Sequence, residues 1–352
     1  MKPNLNIVIP PVASAQTVYL GPNLLAQMPE LLKEHAPAYR YALITDSTVE
    51  NLYGKSLLKT LNEAGLATEL FSFPAGENSK NEETKRKLDH ALLEKGFGRD
   101  TVIIALGGGV VGDMAGFVAA TYLRGIPFIQ VPTTVLSMVD SSIGGKVGID
   151  TPYGKNLLGA FWHPRMIVAD LNTLESLSEE QIQNGWFEAI KMFACLDKAA
   201  YEAFKKGPSA ELMQRAMELK IQVVQADERE AGLRSILNFG HSVGHALEKL
   251  SNYSLLHGFA IALGMLVEAR VSVDLGQLSE ANWSDLKTVL MKNGLQISAP
   301  YSFDELWSAL QNDKKNRAGE VKVVLLEDSG ARAQAVTKEQ LQKAWDFTLK
   351  QA

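Results

Sequence analysis

The sequence predicts an α/β N-terminal domain built on a parallel sheet, followed by a mainly α-helical C-terminal domain. The chain has 352 residues, more than one hydrophobic core usually serves. Its first half alternates short β-branched runs with amphipathic helical patterns, which is the rhythm of strand–helix–strand units. After Leu177 the apolar residues recur at helical spacing, with few strand candidates before residues 321–326. We therefore expect domains at residues 1–176 and 177–352.

The elements of the first half follow one another in a regular order. Apolar runs that suit strands of a parallel sheet, buried on both faces, alternate with helical patterns at 49–65 and 84–96. The strand segments are 41–46, 68–76, 101–109, 127–134 and 166–171.

The second half shows helical spacing in nearly every segment. Ser178, followed by Glu180 and Gln181, is a helix-start signal and places the domain boundary near residue 176. The helical segments are 177–196, 198–206, 211–230, 241–250 and 258–276.

Composition limits what the protein binds. The net charge is −5, with no long block of like charge, which disfavours nucleic-acid and membrane partners. No apolar run approaches the ~20 residues that a membrane helix needs. Cys195 is the only cysteine, so we exclude an internal disulfide and a thiolate-caged zinc, and expect a cytoplasmic protein. Any metal ion would be bound through nitrogen and oxygen.

A glycine-rich turn joins a predicted strand to a predicted helix. Gly107, Gly109 and Gly112 match the dinucleotide fingerprint G-x-G-x-x-G, in which the helix N-terminus faces a pyrophosphate. A strand-to-helix turn that binds nothing is the alternative, since tight connections of this kind also favour glycine. No carboxylate stands about twenty residues further on, where a ribose-binding acid is expected. Asp46 at the end of an earlier strand is the candidate in its place, with Thr133 and Thr134 in the next loop.

A second glycine-rich stretch, residues 139–164, predicts a functional loop without structure of its own. It carries lysines and an asparagine suited to a phosphate or a carboxylate. Solvated lysines are the alternative for each one taken alone. The polar residues of this stretch are Asp140, Ser141, Lys146, Lys155 and Asn156.

Histidines cluster in the second half. His241 and His245 lie four residues apart and so share a helix face, and this spacing alone favours the two as one metal-binding pair. Histidines that are merely capped or packed are the alternative. His257 and Glu188 add a third imidazole and a carboxylate, and two histidines with one carboxylate form the usual ligand set of a catalytic zinc. Lys191 shares the helix face of Glu188.

Several of these motifs occur in the order found in one known family. Residues 107–125, 131–150, 153–164, 187–191, 227–248 and 255–258 resemble the 3-dehydroquinate synthase family, and the resemblance spans roughly residues 40 to 330. It implies an NAD-binding N-terminal domain of variant Rossmann type, a helical metal- and substrate-binding domain, and a divalent metal, zinc or else cobalt, in the cleft. The metal ligands implied are Glu188, His241 and His257. His245 then becomes a polar catalytic group near the metal.

The resemblance also implies cofactor and substrate contacts. NAD would contact Asp46, Glu77, Lys80, Gly109, Val110, Val111, Gly112, Asp113, Thr133, Thr134, Lys146, Lys155, Thr173 and Leu174. The substrate would contact Asp140, Lys146, Asn156, Lys191, Lys220, Arg234, Asn238 and one of Lys314 and Lys315. Arg124 would reach the neighbouring subunit's site, which implies a homodimer. Lys191 and His245 are candidates for proton handling.

The implied reaction converts the sugar phosphate 3-deoxy-D-arabino-heptulosonate 7-phosphate into 3-dehydroquinate and phosphate, a step of aromatic amino acid biosynthesis. Transient oxidation by NAD acidifies a neighbouring C–H, phosphate is eliminated, the hydride returns, and an aldol reaction closes the ring. Trp186 and Phe259 depart from the family pattern next to the ligand positions. Another sugar phosphate cyclase, making an inosose or a valiolone, is therefore one alternative. A metal- and NAD-dependent polyol dehydrogenase and a catalytically silent binding protein are two others.

Overall fold

A parallel sheet organises the N-terminal half, and helices form most of the remainder. The computed structural model describes residues 16–230, 232–311, 321–328 and 330–351. Within these residues, six strands pair in the order β1-β8-β5-β4-β2-β3, each pair parallel. The predicted fold class, an α/β domain with a parallel sheet followed by a mainly helical region, is confirmed. The strands are β1 Thr17–Gly21, β2 Arg40–Asp46, β3 Thr68–Phe73, β4 Thr101–Gly107, β5 Phe128–Pro132, β6 Lys146–Thr151, β7 Gly154–Phe161, β8 Met166–Asp170, β9 Val321–Glu327 and β10 Gly330–Val336.

Helices cover both faces of the sheet and build the second half. The first of them, α1, and the strand β1 were missed by the sequence analysis, as were the helices after residue 276. The α-helices are α1 Leu24–His35, α2 Ser47–Val49, α3 Lys55–Glu63, α4 Glu82–Glu94, α5 Gly109–Thr121, α6 Glu179–Leu196, α7 Lys198–Phe204, α8 Ala210–Ala226, α9 His241–Leu250, α10 His257–Asp274, α11 Glu280–Lys292, α12 Phe303–Gln311 and α13 Lys338–Leu349. Short 3-10 or π turns lie at Glu50–Gly54, Glu77–Ser79, Tyr122–Arg124, Ser137–Ser141, Leu171–Ser176 and Leu233–Asn238.

The glycine-rich stretch at 139–164 has structure of its own. Strands β6 and β7 pair antiparallel as a hairpin that packs against α5. The expectation of a loop without structure is therefore wrong. Gly148 and Gly159 face each other across the hairpin, and a Cβ on Gly159 would lie 2.2 Å from the Val147 carbonyl oxygen. Glycine in this stretch is thus required by close backbone packing, which composition alone does not distinguish from a loop.

One of the hydrophobic cores contains residues from both halves. Val135, Met138 and Val139 from the first half are buried in the same cluster as the helices α6, α8, α9 and α10. Helix α6 comes so close that a Cβ on Gly185 would lie 2.4 Å from the Leu136 backbone nitrogen. The division into domains at residue 176 stays a prediction.

Helix α9 begins against the middle of α10, and a set of small residues makes this approach possible. Gly240 precedes α9 with φ +78, and a Cβ on Gly264 of α10 would lie 2.0 Å from the Gly240 carbonyl oxygen. The buried carboxylate of Glu268 accepts the Gly240 N–H at 2.8 Å and the Val243 N–H at 3.3 Å. Glu268 therefore satisfies amides that a helix start leaves free, and fixes the position of His241, the first residue of α9.

In the described part of the chain, no helix has both the length and the apolar character needed to cross a membrane.

Replacing Gly264 with alanine tests this close approach. Alanine ordinarily stabilises a helix interior by about 1 kcal/mol over glycine. Here the added methyl would overlap the Gly240 carbonyl, so we expect a net loss of about 2 kcal/mol or more in the free energy of unfolding. Urea denaturation measures this loss, with Gly21→Ala as the control because nothing lies within 4 Å of the Cβ it adds. A Gly264→Ala variant as stable as the parent would show that the two helices are not in close contact.

Candidate active site

A carboxylate and two imidazoles from three helices meet in the second half. Glu188 lies in the middle of α6, His241 begins α9 and His257 begins α10. The His257 Nε2 and His241 Nε2 atoms lie 2.9 Å and 3.3 Å from the same oxygen, Glu188 Oε1. One donor atom from each residue lies within 4.8 Å of those of the other two. This is the set of three that the family resemblance implies.

The charges of this cluster suit a cation. Burial alone would raise the pKa of Glu188, but the Lys191 ammonium and the two imidazoles outweigh it and hold that pKa well below its ordinary value. Burial, aided by Lys191, lowers the pKa of His241, which keeps its imidazole neutral. Burial opposes protonation of His257, yet hydrogen bonds to Glu188 and Glu248 raise its pKa to about 10. The cluster thus combines the anionic carboxylate of Glu188, the neutral imidazole of His241 and the His257 imidazole, which lies between two carboxylates. These groups fit a divalent metal such as Zn²⁺.

A second group of donors overlaps the first. His245, Glu248 and His257 also lie within 4.8 Å of one another, although His245 is exposed. Neither group contains both His241 and His245, although their rings are 5.2 Å apart. The pairing favoured by helical spacing stays a prediction. Consecutive turns of one helix place these two side chains on one face, and His257, from the start of the next helix, belongs to both donor groups.

Glu248 was missed as a functional residue by the sequence analysis. Its Oε2 lies 3.1 Å from His257 Nδ1, and its Oε1 accepts from Lys155 Nζ at 3.0 Å. A carboxylate on the far nitrogen of a metal-binding histidine fixes the ring tautomer and orientation. Its position seven residues after His241, on the helix face that already carries two histidines, was the available signal.

The predicted NAD contacts lie along one edge of the sheet. Strands β8, β5, β4 and β2 are neighbours, and in parallel strands the carboxyl ends meet at the same edge, where open sheets bind their ligands. The residues that follow these four strands are Thr173 and Leu174 after β8, Thr133 and Thr134 after β5, Gly109, Val110, Val111, Gly112 and Asp113 after β4, and Asp46 at the end of β2. The structure brings this set together, and its role in binding NAD stays a prediction.

The glycine turn itself satisfies two requirements of packing. A Cβ on Gly107 would lie 2.5 Å from Val111 Cγ2, and one on Gly112 would lie 2.6 Å from Gln130 Oε1. These contacts account for both glycines with or without a ligand. Gly108 precedes α5, and no described side chain caps the amides there. The start of α5 can therefore receive an anion.

A polar network joins the glycine turn to the hairpin. The buried ammonium of Lys80 donates to Asp113 Oδ2 and to Asn156 Oδ1, both at 2.6 Å. Asn156 adopts a left-handed conformation with φ +55, and its N–H donates to Asp150 Oδ1 at 2.8 Å. Glu77 lies 3.4 Å from the Lys155 ammonium. The sequence motifs at 77–80, 113 and 150–156 thus form one charged patch beside the sheet edge.

Several of the predicted substrate contacts already have hydrogen-bond or ion-pair partners within the protein. Lys220 donates to Asp140 at 2.5 Å, Lys191 pairs with Glu188, and Lys146 pairs with Glu230, which the sequence analysis missed. Two further predicted substrate contacts are Asn238 and Arg234. Asn238 Nδ2 donates to Glu230 Oε1 at 2.5 Å. The buried guanidinium of Arg234 donates to the carbonyls of Glu228 and Gly144. Lys314 and Lys315 lie outside the described residues. Arg124 is exposed after α5, and its contact with a neighbouring subunit stays a prediction.

The two departures from the family pattern pack against other aromatic rings. Phe259, two residues after His257, meets the buried ring of Phe187 edge-on at 5.0 Å. Trp186 is buried against Phe204 at 5.4 Å. The residues next to Glu188 in α6, among them Trp186 and Phe187, are thus apolar and buried, and such surroundings strengthen the electrostatic interactions of a carboxylate.

Two family models match this chain over most of its length. The model described as 3-dehydroquinate synthase N-terminal matches residues 70–184, and the model described as 3-dehydroquinate synthase C-terminal matches residues 179–316. A 3-dehydroquinate synthase of Nitrosospira multiformis is 40% identical over 338 residues, covering 93% of this chain and 92% of the relative.

Solved structures share the fold. A 2-epi-5-epi-valiolone synthase of Streptomyces hygroscopicus subsp. jinggangensis, with NAD⁺ and Zn²⁺ bound, is similar with a TM-score of 0.90 and 27% identity, covering 99% of this chain and 100% of that one. A glycerol dehydrogenase of Schizosaccharomyces pombe is similar with a TM-score of 0.67 and 16% identity, covering 96% of this chain and 90% of that one. At that identity the second likeness concerns the fold alone.

Removing single histidines distinguishes the two donor groups. His257 belongs to both, so the informative pair of variants is His241→Ala and His245→Ala. We expect His241→Ala to weaken Zn²⁺ binding more than about 100-fold, because a direct ligand is lost, and His245→Ala to retain Zn²⁺. Competition with a chromogenic chelator measures both affinities. Loss of Zn²⁺ binding in His245→Ala, with binding retained in His241→Ala, would assign the ion to His245, Glu248 and His257.

The hairpin network predicts a dependence of stability on pH. Burial raises the pKa of Asp150 from its ordinary 3.8 to about 6, against the opposing effect of Lys80. Between these values the folded chain holds a proton that the unfolded chain releases. The contribution of Asp150 to stability is therefore present at low pH and falls as pH rises through about 6.

Asp150→Asn removes this titration while keeping a side-chain acceptor for the Asn156 N–H. Relative to the parent, the variant should gain in urea midpoint as pH rises from about 4.5 to about 6.5. The exposed Asp100→Asn is the control, and its difference from the parent should not follow the same curve. A constant difference between Asp150→Asn and the parent across that range would contradict the assignment.

Proposed function

The chain belongs to the 3-dehydroquinate synthase family, and we propose that its cleft converts 3-deoxy-D-arabino-heptulosonate 7-phosphate into 3-dehydroquinate and phosphate, with NAD and a divalent metal ion bound. The observation that carries this proposal is the group Glu188, His241 and His257, with the buried ammonium of Lys191 paired to Glu188. A phosphate-eliminating cyclase needs a polarised hydroxyl and a site for an anion in one place, and this cleft offers both.

Glu188, His241 and His257 are proposed to hold zinc. When bound there, a zinc ion polarises a substrate hydroxyl and lowers its pKa. Two imidazoles and one carboxylate leave a coordination position open, as catalytic zinc sites do. The support from relatives is the valiolone synthase with Zn²⁺ and NAD⁺ bound.

NAD is proposed to lie along the carboxyl ends of β2, β4, β5 and β8. There it supplies a hydride acceptor that becomes the donor again later in the same turnover. The N-terminus of α5 offers amides and a partial positive charge to its pyrophosphate. Lys80 and Asn156 are already fixed by each other and by Asp113 and Asp150, so this wall needs little reorganisation when it binds.

The phosphate of the substrate is proposed to bind near Lys146, Arg234 and Asn238. Burial lowers the pKa of Lys146, and the neighbouring Arg234 and Lys220 reinforce this although Glu230 opposes it. Lys146 and Asn238 both contact Glu230, so an incoming phosphate would compete with this carboxylate for their hydrogen bonds. The pocket presents preorganised cationic donors to an anion that gains charge as it leaves.

Lys191 is better suited to donate hydrogen bonds than to accept a proton. Burial would lower its pKa, but the carboxylates of Glu188 and Asp140 outweigh this and raise it. Its ammonium therefore stays charged and orients Glu188. His245 is exposed beside the cluster, with its ring 5.8 Å from that of His257, and can exchange protons with solvent.

We further propose that the protein is a cytoplasmic homodimer. Cys195 is a free and buried thiol, which suits a reducing compartment. Arg124 is exposed on a turn where both it and Leu123 have positive φ. A fixed, outward arginine of this kind can enter a neighbouring subunit's site, as the family resemblance implies.

A valiolone-forming cyclase is the second candidate function. The observation that favours it is the likeness of the whole chain to the valiolone synthase structure, together with Phe259 beside the cluster. That enzyme class acts on a different sugar phosphate. Substrate choice therefore discriminates between the two candidates.

Phosphate release tests the proposed function. Purified protein, loaded with Zn²⁺ and supplied with catalytic NAD, should release phosphate from 3-deoxy-D-arabino-heptulosonate 7-phosphate with no build-up of NADH absorbance at 340 nm. The hydride is returned within each turnover, so the oxidised cofactor is regenerated. Lys146→Ala is the matched variant and should lower kcat/KM by about 100-fold with zinc content unchanged.

Other outcomes would assign a different activity to the protein. Phosphate release from another sugar phosphate, with none from the heptulosonate, would assign a different cyclase, such as the valiolone type. Stoichiometric NADH from glycerol or another polyol would assign a dehydrogenase and contradict the proposal.

A further inference from the structure

We propose that Glu248 is a positioning residue that couples the metal site to the NAD site, so that occupancy of one raises the affinity of the other. The inference rests on the proposed function, because it takes the two sites as assigned there. It concerns a residue outside the three proposed metal ligands and the predicted NAD contacts, which acts through His257 and Lys155.

Glu248 links two parts of the molecule that are distant in sequence. Its side chain is 3% exposed, and its two oxygens have different partners. Oε2 lies 3.1 Å from Nδ1 of His257 at the start of α10, and Oε1 lies 3.0 Å from Nζ of Lys155 on strand β7. One carboxylate thus joins a candidate metal ligand of the second half to a candidate cofactor contact of the first half.

The backbone of Glu248 is held by the turn that follows α9. The Glu248 carbonyl accepts from the Tyr253 N–H at 2.7 Å and from the Ser251 hydroxyl at 2.8 Å. The Lys155 ammonium also lies 4.5 Å from the centre of the Tyr253 ring. The turn after α9 is therefore tied to Glu248 through the backbone, and to Lys155 through the Tyr253 ring.

The partners of Glu248 support a double contact. One oxygen faces the His257 imidazole and the other the Lys155 ammonium, so each oxygen has a donor of its own. A buried carboxylate with only one cationic partner would be costly, so each partner stabilises the contact with the other.

Metal binding would fix the first contact in one arrangement. With a cation on Nε2 of His257, the one proton of the ring is on Nδ1, and the ring is held with that N–H towards Glu248. The carboxylate is then fixed with its other oxygen towards Lys155. Lys155 adjoins Asn156, which Lys80 holds, so fixing Lys155 orders the hairpin edge beside the predicted cofactor contacts.

The coupling must be reciprocal. If a bound metal ion orders Lys155 for NAD, then bound NAD must raise metal affinity by the same factor. We expect a factor of about fivefold or more, the usual range for coupling between sites. Loss of Glu248 or of Lys155 should remove it.

The test measures NAD affinity by calorimetry on the full chain, with and without Zn²⁺, in the absence of substrate. In the parent protein, Zn²⁺ should lower the Kd for NAD about fivefold or more. In Glu248→Gln the amide oxygen still accepts from His257 but its NH₂ group cannot hold Lys155. The ratio of the two Kd values should therefore fall to about one, with Zn²⁺ affinity reduced by no more than about 100-fold.

Lys155→Met separates coupling from damage to the fold. This variant leaves His257 and its carboxylate in place, so Zn²⁺ affinity should stay within about tenfold of the parent value while the NAD ratio falls to about one. Glu211→Gln, an exposed change at the start of α8, is the matched control and should keep the parent ratio.

The inference would be overturned if Zn²⁺ left the Kd for NAD of the parent protein unchanged. It would also be overturned if Glu248→Gln and Lys155→Met both kept the parent's ratio of Kd values without and with Zn²⁺. A parent protein that binds neither Zn²⁺ nor NAD would overturn it together with the proposed function. Coupled binding without phosphate release from the heptulosonate would support the inference and refute only the choice of substrate.

Discussion

The arrangement of the helical half depends on one buried carboxylate. Glu188 lies in the interior of α6 with no access to water, and an isolated charge there would be strongly destabilising. It is compensated by Lys191 on its own helix and by His241 and His257 at the starts of two others. The requirement to satisfy this charge therefore fixes where α9 and α10 begin relative to α6.

That placement is achieved through backbone contacts that few residue types allow. The Gly240 turn rests on Gly264, and the Glu268 carboxylate receives the amides at the start of α9. A side chain at either glycine would push His241 away from Glu188. The same backbone contacts therefore determine both the packing of α9 against α10 and the geometry of the candidate metal site.

Much of this could be predicted from the sequence, and the failures have physical causes. The alternation of buried runs and helical patterns in the first half predicted the parallel sheet because both faces of its strands are buried, as in β4. Helical spacing predicted a pair of His241 and His245 because spacing relates residues within one helix only, whereas His257 lies on the next helix. The family resemblance named the set of three that the structure brings together, and their role as ligands stays a prediction.

Other features gave weaker signals. The β6–β7 hairpin was taken for a loop because glycines that permit close strand contact also mark turns. Glu230 and Glu248 were missed because a glutamate in a charged or helical stretch is ordinarily solvated, and only the folded chain shows them facing lysines.

The shared core limits how the chain can be divided. Val135, Met138 and Val139 belong to the first half by sequence but are covered by helices of the second. A fragment ending near residue 176 would expose these side chains to water as one apolar patch, and such patches promote aggregation. The first half is therefore unsuited to independent expression, and a translating ribosome must release well over half of the chain before this surface can be covered.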